Sequence, residues 1–446
     1  MADTPPPPAP PAGRFTEGNL FAHVAVMSLT ASVGLMAIFA VDFVDMVFIS
    51  WLGQAELAAA VGYAGAILFF TTSVGIGMSI AAGALVARAV GARDPALARR
   101  RATHALVHGV LFGAAFAGVV WLSLGPLVRL LGASGATEAH AVHYLSIIVP
   151  SQPFLMLGMI GGAILRSHGD ARRAMTATIW GGAVNAVLDP ILIFGLGLDL
   201  TGAALASVAA RLTIAALALR PLLRHYGGLD RPTAAGLRDD LRPVWAIAGP
   251  AMLTQVATPF GQAWVTRAMA AFGEGAVAGM AIAGRLTPLA FGTIFALSGA
   301  VGPIIGQNLG AGRMDRVRAA FGAALAFTAL VTVAAAAVLF LLRAPIADLF
   351  RAQGLARDLV FLFCGPLALM FFFNGAIFVA NAACNNLGRP FQSTLVNWGR
   401  HTLGPVPFVM AGAAWMGAQG VLVGQAAGGV LFAAIAIWQA RRAMRG

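Results

Sequence analysis

Apolar runs long enough to cross a bilayer follow one another along almost the whole chain, and few folds can accommodate that. A spanning helix needs about 20 apolar residues. Runs of roughly that length or more begin at Val24 and cover 24–51, 60–86, 103–126, 141–164, 174–197, 202–222, 244–270, 279–305, 319–342, 359–382, 393–413 and 417–440. They are continuous rather than alternating in polarity, which excludes a membrane barrel. The expected fold is an all-α membrane protein of about twelve transmembrane helices. Only 10% of the 446 residues are charged and mean hydropathy is +0.82, whereas a soluble domain is about 25% charged. The proline-rich start, MADTPPPPAPPAG, lacks the charged and apolar regions of a signal peptide. Residues 1–20 are expected to be a disordered tail.

Charge placement gives an orientation. The net charge is +12, and arginine supplies all 29 basic residues. Twenty of them lie in or at the edge of the connections after even-numbered runs and in the C-terminal tail, against four after odd-numbered runs. Arginine-rich loops stay on the cytoplasmic side, so both termini are expected there. Short clusters between apolar runs suit a lipid surface and argue against a nucleic-acid partner. Cys364 and Cys384 sit in apolar stretches without metal spacing and are read as small buried side chains. No Ser/His/Asp, His-Glu-x-x-His or paired-cysteine constellation is present, so no enzyme chemistry and no cofactor are expected.

The chain is also duplicated. Its longest internal polar segment, 223–243, separates an N-lobe (21–222, helices 1–6) from a C-lobe (244–446, helices 7–12). Gly53 pairs with Gly273 at an offset of 220; Gly91 with Gly310 and Gly169 with Gly388 both pair at 219. Three anchors at one spacing indicate a tandem repeat. Six helices per copy insert both copies the same way up, related by an axis along the membrane normal, as in transporters.

An ionisable group at mid-membrane costs about 2.5–3.5 kcal/mol on insertion scales, so each needs a reason. Asp42 and Asp45 lie three apart in the first run, and Asn185 and Asp189 four apart in the fifth, each pair on one helical face. Pro190 removes a backbone donor beside Asp189. At an offset of 220 the partners of Asp42 and Asp45 are Gln262 and Val265, and Asp189 falls opposite the apolar stretch around Val406. One copy of the scaffold thus manages without acids, which gives those of the N-lobe a functional task, binding a cation or a proton. A static ion pair, Asp189 with Arg211 or Asp42 with Arg285, is the plainer alternative. Arg285 is a second-rank candidate for facing substrate, and His104, His108 and His401 could face a pore. GQNLGAGR (306–313) looks like a phosphate loop but follows a membrane helix; close packing and a tight turn explain its glycines.

Four stretches, VDMVFISWLG (44–53), LRSHGDARR leading into NAVLDPILIFG (165–195), GQNLGAGR and ACNNLGRP (383–390), resemble the multidrug and toxic compound extrusion (MATE) family, within the wider superfamily of polysaccharide and lipid-intermediate exporters. The likeness runs from about residue 20 to the end. It implies a V-shaped pair of six-helix lobes, monomeric, in a bacterial inner membrane, exporting small cationic or amphipathic compounds by alternating access in exchange for protons. Matched position by position, it implies a coupling site of Asp45, Asp189, Asn185, Ser207 and Tyr144. Sodium bound by Asp45, Asn185, Asp189 and Ser207 is the alternative, and a lipid-linked-intermediate flippase a further one. The chain departs from the family pattern at Thr30, where a first-helix proline is usual; at Thr258, where some members have a seventh-helix glutamate; and at Ile38, sometimes glutamine.

Overall fold

A computed structural model describes residues 13–445 apart from Gly53 and Leu403; the side chains of Asp42, Phe43, Val47, Ser50 and Ala55 also lie outside the described residues. All regular elements among the described residues are helices. The first three spans are Leu20–Trp51, Ala55–Gly91 and Pro95–Leu122. After a short helix, Leu124–Leu130, the fourth runs from Gly135–Ile148 through a tight turn into Gln152–Ser167. The fifth, Ala171–Pro190, ends in the wide turn Ile191–Gly195, and the sixth is Asp199–His225. The C-lobe repeats the series with Ala234–Ala270, Glu274–Gly310 and Met314–Leu349, and a tenth span of Gly354–Leu362, Phe363–Leu367 and Ala368–Asn386.

Helix Pro405–Ala443 is two spans folded back to back. Gly417 takes φ 60° and ψ −138°. A Cβ on Gly412 would run into the Gly420 carbonyl, and one on Gly424 into that of Phe408. Those pairs are centred on residue 416, as in an antiparallel hairpin. The eleventh span is therefore Pro390–His401 continued over 405–416, and the twelfth begins at 418. Ten stretches qualify as membrane spans by length and hydropathy. Counting this hairpin as two and adding Ala234–Ala270, whose first turns carry Arg238, Asp239, Asp240 and Arg242, gives twelve. Side chains such as Leu122, Leu341 and Trp415 project from the outer faces, where acyl chains would meet them.

The duplication is visible in the backbone. The turns after the second and eighth spans place Arg93 at φ 57° and Gly312 at φ 72°; those after the fourth and tenth place Gly169 at 83° and Gly388 at 76°. Each pair is offset by 219. The two lobes meet at this arginine-rich end about a quasi-twofold axis. Gly91 packs on the Gln307 backbone, and Gly310, its repeat partner, on that of Arg88, the partner of Gln307; neither has room for a Cβ. Two side chains then cross the seam in the same sense. Gln307 Nε2 donates to the Ser167 carbonyl at 2.7 Å, and Arg88 donates to that of Asn386, the repeat partner of Ser167.

The tail expected to be disordered to residue 20 is docked from Gly13 onward. Phe15, 1% exposed, sits in the seam. Its N–H donates to Gln307 Oε1 at 2.8 Å, and its carbonyl accepts from Asn308 and Arg316. Arg14 donates to the Gly169 carbonyl on the other lobe at 2.9 Å. Composition alone marks the tail as unstructured because the hydrogen-bond partners of its backbone lie about 300 residues away.

The polar linker is shorter than sequence suggests, since the seventh helix already begins at Ala234, capped by the Thr233 hydroxyl. Asp240, buried, ties this extension to the third span. It accepts from Arg100 at 2.9 Å, lies 2.8 Å from Arg101, and meets His104 Nδ1 at 2.6 Å. Burial alone would raise this carboxyl, but the hydrogen bonds from Arg100 and His104 and the charge of Arg101 outweigh burial and hold it below the usual aspartate range. The stabilisation is therefore complete above that range and lost as pH falls through the depressed value.

Two predictions follow from this architecture. Gly91→Val and Gly310→Val should each cost about 1–3 kcal/mol by overpacking, read as a lower melting temperature in detergent. Gly249→Ala, with open space around the new methyl, should leave it unchanged. Asp240→Asn should destabilise by about 1–3 kcal/mol at neutral pH, and its melting curve should converge on that of the wild type in strong acid.

Candidate functional site

Above the seam the lobes enclose a cavity of about 1490 Å³. Its floor carries Gly83, Arg166 and Asn386, close to the seam, and its walls reach Ile49, Val61, Val265 and Met280, near the arginine-poor ends of their helices. The cavity is thus sealed at the arginine-rich end and deep toward the other.

On the N-lobe wall the structure brings together the residues picked out in the sequence. Asn185 is the centre. Its Nδ2 donates to Asp45 Oδ1 at 3.0 Å and to Asp189 Oδ2 at 2.8 Å. The two carboxyl groups are thus bridged by one amide. Asp45 and Asn185 line the cavity, whereas Asp189 is 0% exposed and sits behind them. The i, i+4 spacing puts Asn185 one turn before Asp189. Pro190 follows, the helix widens over Ile191–Gly195, and Asp189 Oδ1 is left buried with no hydrogen-bond partner among the described residues. Wide turns of this kind are frequent at functional sites.

Tyr144 and Ser207 complete the wall, their hydroxyls side by side and both lining the cavity, with Asp45, Asp189 and Arg211 as the charges nearest the phenol. Arg211 is not the static partner of Asp189. It donates to the Ile148 carbonyl at 3.1 Å and to Ser151 Oγ at 2.9 Å. The pairing of Asp42 with Arg285 involves a side chain outside the described residues. Arg285 itself is exposed and stands outside the cavity wall, which its neighbours Gly284 and Thr287 line. Expected as a second-rank substrate-facing residue, it is turned out of this lining because one residue along a helix rotates the side chain by about 100°. His104 is bound to Asp240 at the arginine-rich end; of the three histidines singled out, His401 is the one on the cavity wall. Cys364 and Cys384 are buried and free. Among the described residues no group of three His, Cys, Asp or Glu could hold a metal ion.

Sequence reasoning overlooked the seam residues Arg88, Gln307 and Asn308 and the C-lobe wall. The signal was available in GQNLGAGR, whose glycines indicated a close approach without saying to what.

Twelve spans in two quasi-twofold lobes, with a deep cavity between them, are the architecture of a membrane transporter. A family model described as MatE matches residues 31–191 and 250–429, and the chain belongs to that family. A curated relative from Shewanella oneidensis, an FAD transporter, is 29% identical over 413 residues, 89% of each chain. The multidrug export protein MepA of Staphylococcus aureus is 24% identical over 307 residues, 68% of each. Among solved structures, an outward-facing multidrug resistance MATE transporter superposes with a TM-score of 0.90 at 21% identity, covering 97% of this chain and 98% of that one. A Pyrococcus furiosus transporter of the same superfamily, described as having a binding pocket of reversed polarity, gives 0.89 at 21% identity with the same coverage. These structures establish the likeness of fold.

Proposed function

We propose that the protein is a proton-coupled antiporter that exports amphipathic organic compounds by alternating access, with Asp45, Asn185 and Asp189 as its coupling site. The observation that carries this reading is the orientation of the Asn185 amide. Its N–H₂ donates to one oxygen of each acid, which leaves the second oxygen of each to take a proton. An N–H donor standing between two acids suits a pair that holds one proton. A hard cation such as sodium would need oxygen there. Two negative charges this close in an apolar lobe repel strongly, and the unpartnered Asp189 Oδ1 is a place for the proton to reside.

The arginine asymmetry supports a reading in which the sealed end and both termini lie in the cytoplasm of a bacterial cell and the cavity faces outward. A proton entering from outside reaches Asp45 first and passes to Asp189 behind it, with Tyr144 and Ser207 as hydrogen-bonding partners. Neutralising the pair removes the repulsion between the two acids and weakens their hold on a positively charged solute, and release of the proton inside restores both. The chain works as a monomer in this scheme. Support for drug export comes from the likeness to MepA. The relative named for FAD, matched over most of both chains, widens the substrate class to solutes with a phosphate.

In proteoliposomes, efflux of a fluorescent amphipathic dye should follow an imposed pH gradient and ignore a sodium gradient at fixed pH and potential. Asp45→Asn and Asp189→Asn should each reduce it at least tenfold. Gradient-driven efflux surviving intact in both variants, or driven by sodium alone, would refute the coupling scheme.

A further inference from the structure

The cavity lining carries more positive than negative charge. Among the described lining residues the acid is Asp45, while Arg166 and Arg211 on the N-lobe side and Arg400 on the C-lobe side supply three guanidinium groups. None of the three lies within 4.0 Å of a carboxylate among the described residues. Arg211 is spent on Ile148 and Ser151. Arg400, on the eleventh span of the C-lobe, is different: the side chain is half-buried, and its Nη1 is buried with no hydrogen-bond partner among the described residues. A buried donor left unsatisfied costs stability.

The surroundings of Arg400 indicate what it awaits. Its guanidinium lies 6.0 Å from the Phe378 ring centre. Phe378 continues into Phe295 at 5.6 Å, and Phe295 into Phe371 at 5.8 Å. All three rings line the cavity. A guanidinium set against a ring still offers its in-plane N–H groups to a carboxylate or phosphate. At the same depth in the N-lobe the repeat partners of Arg400 and His401 are Gly181 and Gly182, so the cation belongs to this copy alone and is not a requirement of the duplicated scaffold.

We infer that the C-lobe wall is an anion-binding subsite in which Arg400 takes the phosphate of a flat aromatic solute whose ring lies along Phe378, Phe295 and Phe371. The inference rests on the reading of this cavity as the place where the exported solute binds. It is independent of which ion drives export. The two lobes then divide the work, the N-lobe wall holding the coupling proton and the C-lobe wall the anionic end of the cargo.

Flavin mononucleotide and riboflavin share a ring system and differ by one phosphate, which makes them the natural probes. Quenching of flavin fluorescence by the purified protein in nanodiscs, at fixed pH and without any gradient, should give an affinity for the mononucleotide roughly tenfold above that for riboflavin, the size of one charge-assisted hydrogen bond. Arg400→Gln should erase the preference while riboflavin affinity stays within about twofold, and Arg400→Lys should keep part of it. Equal affinity of the wild type for the two flavins would overturn the inference without needing any variant to fold. So would a preference that persists in Arg400→Gln. A failure of proton coupling would appear in the flux assay and leave this binding difference untouched.

Discussion

Backbone-to-backbone contact at Gly91 and Gly310 sets what the rest of the molecule can be. With no room for a Cβ at either residue, the second and eighth spans touch at their arginine-rich ends, and the crossing bonds from Gln307 and Arg88 seal the junction. Everything beyond the junction follows from helices that meet at one end and bound a cavity at the other. Because the contact is made by repeat-related residues, opening it requires both lobes to move together. The docked segment from Gly13 to Gly18 adds a third strand of hydrogen bonds across the same seam, from Arg14 to Gly169 on one side and from Arg313 and Arg316 on the other. Sealing is therefore made of backbone carbonyls and fixed donors, groups that water can also satisfy when the seam parts. Each such bond contributes modestly, about 0.5–1.5 kcal/mol, which suits a closure that must be reversible.

The N-lobe wall carries the acid Asp45 with Asp189 behind it, as well as Arg166 and Arg211, and the C-lobe wall carries Arg400 with His401. A site that held both signs in contact would neutralise itself as an ion pair and bind neither proton nor solute. Keeping them apart leaves each group incompletely satisfied, as the unpartnered oxygen of Asp189 and the unpartnered nitrogen of Arg400 both are. Buried groups in that condition cost stability, and they sit where a transporter must bind and release.

Much of this was legible in the sequence because lipid imposes a strong rule on it. Backbone polar groups in a bilayer must be satisfied within a helix, so apolar runs mark spans, and eleven of the twelve coincide with a helix or with helical segments joined end to end, although the seventh helix starts well before its run, at Ala234. The eleventh is the exception: it breaks after His401 and resumes at Pro405. Phe432 packs against Gly399 and Gly404 at the break, a contact with the twelfth span that local sequence does not announce. The acids were legible for the same reason, since a carboxyl in an apolar run is expensive. Asn185 as the bridge between two helices, and Arg88 with Gln307 as equivalent donors, were not. Their partners lie 140 and about 300 residues distant, and an amide or arginine in isolation carries no sign of what it will meet.

The repeat explains why seam and site evolved under opposite constraints. At the seam, positions 88 and 307 hold different residues, arginine and glutamine, yet both donate to equivalent carbonyls. Identity is free there provided that a donor of sufficient reach remains, because a symmetric motion needs equivalent bonds on both sides. At the cavity walls the equivalent positions differ in charge itself: Asp45 against Val265, Gly181 against Arg400. In the proposed scheme two identical acid pairs would take up two protons, whereas an acid pair in one copy and Arg400 in the other let the ion and an anionic solute occupy separate places in a single cavity. Duplication then supplies the hinge, and divergence the coupling. The glycines that permit the first are the residues least free to change, and the side chains that carry the second are found in one copy.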